Sequence, residues 1–177
     1  MTRIKTHLVA DRRPLRFLKL ADIQTDVDHL ALCREVRNLG NWSSGQVLKH
    51  VALTMDRSID GFDYHLPAPV KFALRLFLKR RFLTRPIPAG YQLPRRAAAD
   101  IGPPATTFHE GLRAMRHALA RLRSESKRAI HPAFGPLTAA EWELLHCRHA
   151  ELHLSFLLPV EGASVSNIRS HSAEKSR

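Results

Sequence analysis

The sequence predicts an all-α protein: a four-helix bundle with a short basic helical insertion between bundle helices two and three. Three observations predict it. Apolar residues recur at steps of three and four along four long segments. Helix start and stop signals bracket those segments. No segment alternates apolar and polar residues as a half-buried strand does. With 177 residues, 44% of them hydrophobic, the chain is long enough and apolar enough to bury one domain core.

After a short extended stretch at 15–18, Ile23, Val27, Leu30 and Ala31 mark a first helix over 22–38. "LGNWSSGQ" stops it and restarts the chain, with Gly40 as a helix-ending residue and Ser43 with Gln46 as a capping box. The second helix covers 44–59 on the stripe Leu48, Val51, Met55 and Ile59. "GFDYHLPAP" ends it, and a shorter helix over 70–83 leads into a proline-rich link, "RPIPAGYQLP", towards 104. Phe108, Leu112, Met115, Leu119 and Leu122 then define an amphipathic helix over 106–127, with arginines opposite. Thr138 and Glu141 form a further capping box for a last helix over 139–158, stopped by Pro159. Residues 1–159 are thus expected as the domain and 160–177, small and polar without period, as a disordered tail.

Composition narrows the function classes. No run reaches the roughly 20 apolar residues of a membrane span, so integral membrane association is not expected. The basic N-terminus lacks the apolar core of a signal peptide. Cys33 and Cys147 form no CxxC and fall in helical patterns, which is cysteine usage for a reducing, cytoplasmic setting. The net charge of +12 favours anionic partners. It concentrates between Leu66 and Ala99, where eight Lys or Arg meet no Asp or Glu. There Lys71, Arg75 and Lys79 form a stripe opposite Phe72, Leu76 and Leu83. Such a segment reads as a surface for acidic membrane or nucleic acid, as a lid drawing an anionic small-molecule substrate, or as a solvated helix face. Aromatics are sparse and no DNA-binding signature occurs, so specific nucleic-acid recognition is not expected.

The histidines carry the chemistry. "HCRHAELH" (146–153) puts three of the chain's eleven into eight positions. Trp142, His146, His149, His153 and Phe156 step by four and three, so they share one inward stripe. Unpartnered imidazoles are costly in a core. His149 and His153 have the i, i+4 spacing that lets two imidazoles reach one metal ion. His50, between Val47 and Val51, adds a third from the second helix. Against this stands a core in which each histidine merely bonds a carbonyl. His146 reads as a fourth ligand, a proton carrier or a core residue; His131, in "HPAFG", as a turn-bracing residue or a second proton carrier. Glu151 is expected to face solvent, and Cys147 to be structural.

"GNWSSGQVLKHVALTMDRSIDGF" (40–62) and "HPAFGPLTAAEWELLHCRHAELHL" (131–154) resemble the DinB/YfiT-like superfamily of metalloenzymes, in an uncharacterised branch. The resemblance covers most of residues 15–157. It implies a four-helix bundle holding one divalent metal, zinc or nickel by ligand type, on His50, His149 and His153. It further implies metal-dependent hydrolysis or transfer of a low-molecular-weight thiol. By their places in the sequence, His146 and His131 are the candidate catalytic groups for moving protons. One departure is visible: members commonly carry a glutamine soon after the last histidine, where this chain has Ser155 and Phe156. A non-catalytic metal or small-ligand binding bundle, and a basic interaction module with a structural histidine core, are the alternatives. The residues leave the substrate and the oligomeric state, a homodimer included, open.

Overall fold

The computed structural model describes residues 3–91 and 95–160. Seven α-helices and one two-stranded sheet occur among the described residues. The helices are α1 (Leu20–Leu32), α2 (Ser44–Asp60), α3 (Ala68–Phe77), α4 (Lys79–Thr84), α5 (Arg95–Ile101), α6 (Phe108–Ser124) and α7 (Ala139–Leu154). The strands are β1 (Glu35–Asn38) and β2 (Leu157–Val160), paired antiparallel with Val36 opposite Pro159.

α2 and α7 start where the sequence places them, while α1 starts two residues before its expected start and α6 two residues after. Ser43, Thr107 and Thr138 each accept the N3 amide, and the N3 side chains Gln46, Glu110 and Glu141 return the bond. Each hydroxyl cap stabilises its helix by about 1 kcal/mol. The longest packing contact runs between α2 and α6. Glycine permits it: a Cβ at Gly45 would strike the carbonyl oxygens of Thr106 and Thr107, and one at Gly111 would lie 2.6 Å from Gly45 O. Near the other end, Arg121 of α6 reaches Asp56 at 2.9 Å and Asp60 at 2.7 Å on α2. α1 packs on α6 and α7, and α7 also on α2. The expected stripes meet in one core: Ile23, Val27 and Leu30 from α1, Leu48, Val51, Met55 and Ile59 from α2, Leu112, Met115, Leu119 and Leu122 from α6.

Several boundaries differ from expectation. The first helix ends at Leu32, and 35–38 form β1 rather than its last turns. The last helix stops at Leu154 instead of 158, and Pro159 sits within β2. These two short segments pair with each other, and Leu39 N–H donates to Phe156 O at 3.1 Å. Four residues are too few to show a period, so only the pairing reveals them. The insertion helix is two, broken at Leu78. The proline-rich link contains α5. Of the expected tail, 160–177, the first residue, Val160, ends β2, and 161–177 lie outside the described residues.

Glu151 does not face solvent. It is 6% exposed and accepts the Phe17 amide at 2.6 Å, while Arg148, 1% exposed, pairs with it at 2.7 Å and donates to Phe17 O. Arg13 fastens the same segment, with Asp26 at 2.6 Å and Leu154 O at 3.0 Å. The N-terminal stretch therefore covers the face of α7 that would otherwise be solvated, which is why a helix so polar is enclosed on nearly every side.

A second, smaller cluster joins α7 to α4 through Leu83, Phe134, Trp142 and Leu145, with Phe62, Leu74 and Leu78 at its edge.

Candidate metal centre

The α2–α7 contact brings His50 against His149 and His153. One ring nitrogen from each lies within 4.8 Å of the other two. The rings are 4.5–5.1 Å apart between centroids. His50 is buried, and the other two are half-buried.

Proton accounting determines which nitrogens are free. His50 Nδ1 lies 2.7 Å from Ile101 O. A carbonyl only accepts, so Nδ1 carries the proton and Nε2 keeps its lone pair. His149 Nδ1 lies 3.2 Å from Thr54 Oγ1, and that hydroxyl gives its own hydrogen to Val51 O at 2.8 Å. Thr54 therefore accepts from His149 Nδ1–H, and again Nε2 is left bare. Both arrangements match those that fix the tautomer of metal-ligating histidines. The His153 ring has no hydrogen-bond partner among the described residues; it stacks on Trp42 with centroids 5.9 Å apart and planes 18° from parallel. Trp42 also abuts His50 at 4.8 Å.

The electrostatics keep all three rings neutral. Burial lowers His50 to about 4, against the opposing effect of its hydrogen bond to Ile101 O. Burial, followed by mutual repulsion with His50 and their neighbours, holds His149 and His153 well below the usual imidazole value. Neutral imidazole is the ligand form. The donor set fits a divalent ion of imidazole preference. Zn–N bonds of about 2.0–2.1 Å bring neighbouring ligand nitrogens to about 3.4 Å in a tetrahedral site, so small ring rotations close the group on an ion.

His146 and His131 are not part of this group. His146 Nε2 lies 3.0 Å from Ser58 Oγ, whose hydrogen goes to Met55 O at 2.6 Å, so His146 donates from Nε2. Its ring stacks on Trp142, and burial lowers it to about 3. His131 Nδ1 accepts the amides of Ala133 and Phe134, bracing the turn that Gly135 closes at φ 72°. Burial lowers it to about 4. Both still repel the charged form of His149. Cys147 is fully buried, its thiol pushed up to about 12 by burial and nearby carboxylates.

Sequence reading missed the supports. Ile101 ends α5, which lay unseen in the proline-rich link. Arg57 of α2 holds α5 through Asp100 at 2.6 Å. Asn38 of β1 donates to the Trp42 carbonyl. An aromatic just before a capping box was the one local signal, in Trp42. Of the cationic stripe, Lys79 is not a free charge: it pairs with Glu141 at 2.6 Å.

Fold and site together define a helical protein with a neutral, three-histidine cluster between two of its long helices. The chain belongs to the family described as "Protein of unknown function (DUF1569)", whose model matches residues 9–160. No curated protein and no solved structure matches it. No helix among the described residues is long and apolar enough to cross a membrane.

Proposed function

We propose that this is a metal-dependent enzyme of the DinB-like type, in which α1, α2, α6 and α7 form a four-helix bundle and His50, His149 and His153 hold one divalent ion. The observation that carries the reading is the pair of bare Nε2 atoms, on His50 and His149, left by two independent hydrogen bonds within one histidine group. Three protein donors are the complement of a ligand-exchanging centre, where structural zinc has four. A bound divalent ion would supply its undiminished charge, acidifying water or a thiol and polarising a substrate.

The chain's own groups shape the rest. Ile101 O and Thr54 Oγ1 hold two ligand rings in one tautomer. Trp42 walls the third. His146 and His131 remain the candidates for proton movement. The substrate class is a small, anionic molecule attracted by the chain's positive charge, with hydrolysis and thiol transfer as the reaction types.

Elemental analysis of untagged protein tests the metal, with one equivalent expected. Esterase, amidase and thiol-conjugation screens with that metal then test the chemistry. Metal at one equivalent without turnover would leave the second reading, a non-catalytic metal-binding bundle. Absence of stoichiometric metal would overturn both.

A further inference from the structure

Helix α3 has a face that the fold does not use. None of its residues is buried. Phe72 is 70% exposed, Leu76 62% and Phe77 74%, with Val70 beside them. At about 100° per residue, Pro69, Val70, Phe72, Ala73, Leu76 and Phe77 fill one outward arc of about 160°, and no polar side chain interrupts it. Leu74, on the other side, packs with Leu78 on the smaller core cluster. The packing of the partly buried Leu74 orients the helix, so the apolar arc is presented by the fold rather than by fraying.

The surroundings of the arc are cationic. Lys71 lies on α3 opposite the centre of the arc and Arg75 about 60° beyond Phe72, and Arg80 and Arg81 follow on α4. None of these four forms a salt bridge among the described residues. The two acids flanking this region, Asp63 and Asp100, are both taken by Arg57, and Glu141 is taken by Lys79. Between residues 64 and 99 the chain has no acid at all.

We infer that α3 is a membrane-surface helix, which lays Phe72, Leu76, Phe77 and Val70 into the headgroup–acyl boundary of a bilayer with anionic lipids. A helix with one apolar face and Lys and Arg on its other side is the arrangement that binds such a surface, through buried apolar area plus attraction to anionic headgroups. A nucleic acid fits less well, because the arc offers it no donor. A second copy of this chain would set like charges of +12 against each other.

Flotation of the full chain with vesicles tests this. Wild type is expected to float with phosphatidylcholine–phosphatidylglycerol vesicles, weakly with phosphatidylcholine alone, and less as salt rises. The combined change Phe72→Ser, Leu76→Ser, Phe77→Ser should reduce partitioning by about tenfold or more at an unchanged melting temperature, since these side chains make no core contact. Lys71→Gln, Arg75→Gln, Arg80→Gln and Arg81→Gln together should weaken the preference for anionic lipid. Failure of the wild type to float, or equal flotation of the serine variant, would overturn the inference. So would a dimer in sedimentation velocity that the serine changes dissociate without any vesicle binding, which would assign the face to a second copy.

Discussion

His146 and His149 stand one turn apart on α7 and use the same device. Each gives a ring proton to a hydroxyl of α2, Ser58 or Thr54, that has already spent its own hydrogen on the carbonyl three residues back. They differ in which nitrogen they use. His146 donates from Nε2 at the ring tip, so its remaining lone pair is on Nδ1, beside its own Cβ. His149 donates from Nδ1 and leaves the tip bare, on a ring that lies beside those of His50 and His153. A position on an inward stripe therefore does not by itself leave a ring nitrogen free at the cluster. The partner of one nitrogen decides which other is left bare.

The comparison breaks most sharply on metal content. His149→Ala with His153→Ala should abolish stoichiometric metal in elemental analysis, whereas His146→Ala should keep one equivalent. One equivalent in the double variant, or loss in the single one, would place the ion elsewhere.

Next in size is stability. His146→Ala removes a buried ring and strands Ser58, so urea unfolding at neutral pH should show a loss of about 3 kcal/mol. A loss below about 1 kcal/mol would mean that the site relaxes and that the Ser58 bond contributes little.

A third test uses pH. The folded-state value of His146 is lowered to about 3 by burial, with repulsion from Arg128 and His131 adding to it. The unfolded chain then binds more protons as pH falls below the ordinary 6.5, so stability declines from there down towards the folded value. Between pH 7 and 5 this group alone accounts for about 2 kcal/mol. In chelated protein, His146→Gln should flatten the decline by that amount; an unchanged slope would show that His146 is not held neutral.

What was legible followed from locality. The stripes of α2 and α6, the capping boxes at Ser43 and Thr138, and the histidines themselves are written within a turn or two of chain. The supports are not. β1 and β2 are four residues each and acquire meaning only from one another. Glu151 looks like a surface residue until Phe17 and Arg148 close over it. α5 hides in a link whose prolines argue against helix, and its value lies in the Ile101 carbonyl, a group every residue possesses. The apolar side of 70–83 shows what spacing leaves open, because Phe72, Leu76 and Leu83 share one pattern while the first two are exposed and only Leu83 is buried.

The smallest effect is the most discriminating. Thr54→Val keeps the shape of the side chain and removes only the oxygen that accepts from His149 Nδ1. His149 then loses the bond that fixes its tautomer and lends its ring basicity, a change that costs metal centres 10–100-fold in affinity. Because the site is half-buried and water can replace part of the bond, the lower end is expected here, about tenfold, read by competition with a chromogenic chelator. Ser58→Ala, the same deletion one turn along, should leave metal affinity unchanged and appear only in urea unfolding, at about 1 kcal/mol. If the two variants shift metal affinity equally, the hydroxyls act through the general packing of α2 on α7. If Thr54→Val shifts nothing, His149 presents its metal-binding nitrogen without help, and the proton assignment that separates it from His146 is wrong.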